Sequence, residues 1–442
     1  MAIDPNTTRK VGHLLRRAGF GATPSQIAAY AARGLPATID ALVNYGQTPN
    51  PLDATLSRVQ GDLIDLHNLL DVQTWWIYRM LHTTRPLEEK MTLFWHGHFA
   101  TANYKVNNPA FMHQQNVTQR SLALGNFGDM MTAMAKDPAM LIWLDGASNR
   151  KGAPNENFAR EMMELFTVGI GHYTEDDVHA GARAFTGWNL NRQQGTFQFN
   201  ARLHDASIKT FRGSTGPLNG DDIIKNVVAD PATAQQLALK LFSFFAYDHP
   251  DPAVIQPFAD VYLKSNFAIK PVVQAILSSD AFYSEQAMQG HLKSPVEYVL
   301  GLVQGLNGQV SERNLAIAVR NIGQELFNPP NVGGWPGGPE WIDAGTMAAR
   351  FNFGALLSAA QKGVAARGGG FIDPESLVQA AHLTDWAGIV DLFGGSLTGG
   401  LTDASKAALA SYTTGAASGQ NLTLKLRGLL HLISMTPEFQ VA

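Results

Sequence analysis

Two glutamates three positions apart, Glu161 and Glu164, stand in PNENFAREMMELFTVGIGHYTEDDV, residues 154–178. On a helix of about 3.6 residues per turn, Glu161 falls about 300° round from Phe158, between Val168 and Leu165 at the edge of an apolar stripe. Asn157, at about 260°, and Glu164, at about 240°, continue the same seam, and Arg160 is spaced to pair with Glu164 one turn on. An apolar wall disfavours a charged carboxylate, and a second carboxylate nearby adds repulsion. Both effects raise a pKa, which is what a general acid near neutral pH requires. The same pair also suits a hard divalent cation. A glutamate satisfied by Asn157, an arginine or a main-chain group would give the same pattern with structural duty alone. Asp177 is explained otherwise: Thr174 three residues before it has the spacing of a helix capping box.

Other chemistry-bearing residues lie apart in sequence. His96 and His98 form an H-x-H pair in LEEKMTLFWHGHFAT (87–101). On a strand that spacing would put both rings on one face, as metal ligation needs. The surrounding apolar pattern is helical, where residues two apart do not face each other, so His98 on the apolar face is the better functional candidate. His204 and Asp205 adjoin in LHDASIKTFRG (203–213), with Lys209 and Arg212 close by. They are placed to orient a substrate or a water, although a solvated loop carries such residues too. FNPPNVGGWPGGPEWI (327–342) must be a loop, and its Trp335 and Trp341, like Trp188 earlier, offer flat faces for a sugar or another planar ligand. There is no G-x-S-x-G, H-E-x-x-H, Walker loop or helix-opening G-x-G-x-x-G, which argues against α/β-hydrolase, zincin and nucleotide-binding readings.

The elements that must hold these groups are helices. Apolar residues recur at helical spacing over 54–83, 86–99, 108–121, 126–135, 155–168, 174–186, 231–247, 293–307 and 344–361, among other stretches. Thr23, Pro24 and Gln26 make a capping box, and Gly34 stops the helix they open. Strand alternation is scarce; 195–212 is the best candidate for a short hairpin. The fold class expected is mainly α: a large helical domain over 1–361 and a C-terminal helical extension over 362–442, joined by Gly-rich stretches.

Composition narrows the functions. Charged residues are 16% and the formal net charge is −4, so no basic surface for nucleic acid is indicated. The absence of cysteine excludes disulfides, thiolate nucleophiles and Cys-ligated metals. No apolar run is long enough for a membrane span. The N-terminus has no signal-peptide core, so the expected location is the cytoplasm, or outside the cell for a protein whose leader has been removed.

HLLRRAGFGAT (13–23), KMTLFWHGHFAT (90–101), ALGNFGDMMTAMAKDPAMLIWLDG (123–146), NENFAREMMELFTVGIGHYTEDDVHAGARAFTGW (155–188) and FNPPNVGGWPGG (327–338) together resemble the DUF1800 family, in the expected order and over most of the chain. The typical central motif is close to NENYARELMELFTLG; Phe158, Met162 and Val168 are mild departures. Members of that family often accompany a DUF1501 protein. The resemblance therefore implies a DUF1501-type partner and the degradation of a polymer such as a polysaccharide.

Three functions follow as expectations. The first is a glycoside hydrolase-like, carbohydrate-active enzyme without a cofactor. Glu161 is its acid, Asp205, Asp145 or Glu164 supplies the second carboxylate, and Asn157, Arg160, His98, His204, Trp188 and Trp335 bind substrate. The second is an enzyme holding a divalent metal on Glu161, Glu164, His96, His98 and His204. The third is a non-enzymatic helical scaffold or binding module.

Overall fold

The computed structural model describes residues 4–59, 64–359, 370–414 and 422–442. The middle of the expected 54–83 helix, the end of the 344–361 helix and the junction near 362 lie outside the described residues. Many helices open the same way: an Asp, Asn, Ser or Thr side chain caps free N–H groups, and proline follows at the first helical position, as in Pro5–Arg17, Pro24–Arg33, Pro109–Ser121, Pro231–Phe245, Pro252–Lys264 and Pro295–Gly305. The Thr23–Gln26 and Thr174–Asp177 capping boxes both form.

The chain is mainly α. The β-structure among the described residues is two small antiparallel hairpins, Trp188–Asn191 with Thr196–Phe199 and Lys209–Phe211 with Ser214–Gly216. The region expected to hold one hairpin thus holds a strand from each of two.

One apolar core runs from Val11 to Phe439. The C-terminal helix Leu422–Met435 packs on Ala344–Ala359, and Trp386–Thr398 lies against Pro5–Arg17 and Pro295–Gly305. Several charged groups inside this core are paired. Glu89 has no exposed side-chain surface; it accepts from Trp76 Nε1 at 3.0 Å, Arg79 Nε at 3.0 Å and Arg120 Nε at 2.7 Å. Burial raises a carboxyl, but Arg120 and Arg79 outweigh it and hold Glu89 ionised.

The PNENFAREMMELF segment is not one uniform helix. Asn157–Glu161 is α-helical and Met162–Phe166 is a π-helical turn, ended where Gly169 takes φ 84°. The wider turn places Glu164 beyond the part of the segment that a uniform α-helical wheel describes, while Asn157 and Glu161 stay on one α-helical turn.

Candidate functional site

The two carboxylates still act on each other but differ in their partners. Glu161 is half-buried, with no hydrogen-bond or ion-pair partner among the described residues; burial raises its carboxyl, and Glu164 adds to this against Arg160. Glu164 accepts from Tyr173 Oη at 2.6 Å. Arg160 does not pair with Glu164: it bridges Glu175 at 2.7 Å and Glu156 at 3.1 Å. Asn157 is exposed and donates to Asp145 at 3.3 Å, and Asp145 also pairs with Lys105 at 3.0 Å. Asp145 thus lies beside Asn157, one turn before Glu161.

Asp205 is committed elsewhere. It pairs with Arg183 at 2.8 Å and accepts from Ser207, and those bonds hold it far below the usual carboxylate range. Such a group neither donates a proton nor takes one readily. His204 Nδ1 donates to the Thr186 carbonyl at 2.8 Å, and its ring meets Phe199. Trp188 is enclosed between Phe185 and Phe197, with Lys136 over its face, so it offers no open platform.

The metal set is not gathered. His96 Nε2 accepts the Phe327 N–H at 3.1 Å, His98 Nε2 lies 3.1 Å from the Phe166 carbonyl, and Glu164 is taken by Tyr173. Among the described residues no group of three or more His, Asp and Glu side chains is arranged to hold a metal ion.

The titratable groups converge in another place. A cleft of about 400 Å³ is walled by Phe94, His98, Lys240, Phe244, Asp248 and His291, with Glu297, Trp335 and Trp341 completing it. Four of the motif segments build it. Lys90 and His98 come from the helix Pro86–His98, and Trp335 from the Gly-rich loop. Arg17 of the first motif donates to the Phe244 and Phe245 carbonyls at 2.7 and 2.8 Å, fixing that wall. The π-turn supplies its own C-terminal carbonyls, which have no partner within the helix. The Leu165 carbonyl accepts from Lys240 Nζ at 2.6 Å, and the Phe166 carbonyl takes His98. Gly334 is needed for the loop to seat: at φ 86° a Cβ there would lie 2.6 Å from the Gly97 carbonyl, between the two histidines.

The tautomers in this cleft are set by their partners. A carbonyl only accepts, so His98 carries its proton on Nε2 and leaves Nδ1 as a lone pair. His291 Nε2 lies 3.1 Å from Glu297 Oε2. Burial alone would raise the Glu297 carboxyl, but Lys90 at 2.5 Å, His291 and Arg17 at 3.4 Å hold it well below its usual range and ionised. His291 therefore donates from Nε2 and also presents Nδ1 as a lone pair. Both Nδ1 atoms are buried without a partner among the described residues. Burial keeps both rings neutral, with Lys240 opposing protonation of His98 and Arg17 that of His291.

A larger cavity, about 890 Å³, lies between Leu15, Gln26, Gln304 and Ser311. Its lining mixes apolar residues with amides and hydroxyls, and a His82–Glu312 pair at 3.0 Å lies in it. The smaller cleft carries more of the groups that move protons. Sequence reasoning found its His98 and Trp335 but not Lys240, Asp248, His291 or Glu297. Lys240 left one trace, a lysine inside the apolar run LALKLFSFF (237–245).

The chain belongs to DUF1800, a family of proteins of unknown function, which it matches over residues 13–441. No curated protein and no solved structure matches the chain.

Proposed function

We propose that the chain is a hydrolase acting on a polymer, with its reaction centre in the cleft between His98, His291 and Trp335. The observation that carries this reading is the His291–Glu297 dyad. An ionised carboxylate orients a neutral imidazole through Nε2, and the opposite nitrogen is buried without a partner among the described residues, on a residue of the cleft lining. That arrangement lets His291 take a proton from an attacking water or hydroxyl while Glu297 stabilises the imidazolium formed. Asp248 is a further carboxylate in the same wall, and Trp335, half-buried in that lining, offers a flat apolar face for a sugar ring. The carbohydrate-active reading rests on that indole and on the family resemblance, and a DUF1501-type partner rests on the resemblance alone.

A second location for acid chemistry is favoured by Glu161, whose carboxyl is raised by burial and has no partner among the described residues. The two locations are separated by assaying wild type, His291→Asn and Glu161→Gln on a panel of polysaccharides. The cleft reading expects His291→Asn to lose turnover and Glu161→Gln to keep it; the opposite pattern moves the chemistry to Glu161. No turnover by the folded wild type across the panel supports a binding module instead.

A further inference from the structure

Glu297, one of the two carboxylates of this cleft, is backed by a group of buried cations. Behind the shared wall of Glu297 lie Arg16, Arg17, Lys90, Lys293 and Arg350, all buried. Arg17 and Lys90 share Glu297. Lys293 Nζ donates to the Phe439 carbonyl at 2.8 Å and Arg350 Nη2 to the Lys293 carbonyl at 2.8 Å, so neither meets a carboxylate there. Arg16 Nε and Nη1 and Arg350 Nε have no partner among the described residues. Burial pushes Lys293 well below its ordinary value, but the three arginines stay charged, since guanidinium groups keep their proton. Burying cations without counter-charge is costly; Arg16 and Lys293 line a separate small void beside Glu297, and their charge reaches the cleft only through that shared carboxylate.

Lys240 is the Lys or Arg side chain that lines the cleft itself. Its ammonium is anchored by one N–H on the Leu165 carbonyl, and no carboxylate pairs with it among the described residues. Two N–H donors remain for a ligand. The groups facing it are His98 on the helix Pro86–His98 and the carbonyls of the π-turn. Asp248, His291 and Glu297 lie in the remaining wall of the cleft. Glu297 is already neutralised by Lys90 and Arg17, which leaves Asp248 as the opposing charge.

From these positions we infer that the cleft binds an oxyanion carried by its ligand, with Lys240 as the direct contact, so that the substrate class is an acidic polymer bearing carboxylate or sulfate groups. This rests on the proposed reaction centre for its position, but not for its test. Isothermal titration of the full chain with sulfate, phosphate and glucuronate, against glucose as the neutral control, measures binding without any turnover. At least one oxyanion is expected to bind one-to-one, sulfate or phosphate marking a tetrahedral ester and glucuronate a uronate chain. Lys240→Met should weaken that binding at least tenfold, Lys240→Arg should retain it, and Lys136→Met, remote from the cleft, should leave it unchanged. Affinity should also fall between pH 7 and pH 9, because burial pushes Lys240 down to about 8 and its charge is lost across that range. Glucose binding as well as the anions, no anion binding at all, or equal binding by Lys240→Met would overturn the inference. His291→Asn should bind the anion as wild type does. Anion binding that survives without turnover therefore condemns the dyad alone, and turnover on neutral polymers without anion binding condemns this inference alone.

Discussion

Lys240 Nζ and the Leu165 carbonyl meet at 2.6 Å across 75 positions of sequence. That bond, with its neighbour from His98 to the Phe166 carbonyl, gives the acidic central motif a role that its carboxylates had obscured. The π-turn Met162–Phe166 ends with carbonyls aimed at two side chains of the cleft. The motif positions the site through its backbone, while Glu161 and Glu164 stay outside that contact.

Moving the loop should disturb binding before it disturbs folding. Gly334→Ala places a methyl 2.6 Å from the Gly97 carbonyl at a φ of 86°. The loop carrying Trp335 must shift, so KM for the polymer is expected to rise several-fold with little change in melting temperature. An unchanged KM would mean that Trp335 does not touch substrate.

The buried Glu89 centre should dominate stability. Glu89→Gln leaves Arg79 and Arg120 buried without their shared counter-charge, and about 3–5 kcal/mol is expected to be lost. Chemical denaturation at neutral pH checks this; a loss under about 1 kcal/mol would show that water or a rearranged partner solvates the arginines.

Asp137 predicts a pH dependence of opposite sign to that of a salt-bridged carboxylate. It caps Pro138–Trp143 and accepts from Gln115 and Met140, and burial raises its carboxyl from 3.8 to about 7. Between those values the folded chain holds a proton that the unfolded chain has released, so this group lowers stability as pH rises through the window. Asp137→Asn keeps the acceptor and removes the titration. Its melting temperature should exceed wild type at pH 8, and the gap should shrink towards pH 4.

The pH profile of activity should be extended on its acid side. Burial and Arg17 hold His291 below its ordinary 6.5, so the base remains neutral into more acidic solution. The acid limb of kcat/KM is expected below pH 6.5, and replacing the partner with Glu297→Gln should shift that limb; a limb unmoved by Glu297→Gln would separate His291 from the rate.

Much of the helical frame was legible because caps and apolar spacing are local. Thr23 with Gln26 and Thr174 with Asp177 formed as their spacing required. The site was less legible, for reasons visible in single residues. Glu297 sits three residues after Ser294 and does complete a capping box, yet the same carboxylate meets Lys90 from 207 positions away. His291 carries no local signature at all. A wheel drawn at about 100° per residue assumes a uniform α-helix and cannot contain the π-turn Met162–Phe166, and Arg160 meets Glu156 and Glu175 instead of Glu164.

The most direct test of the cleft as reaction centre is chemical rescue. His291→Ala should fold normally and lose about 10²–10⁴ of kcat on the polymer that wild type cleaves, and added imidazole should restore part of it by entering the vacated space. Full activity in His291→Ala, or a loss that imidazole cannot restore in a normally folded protein, would contradict the account.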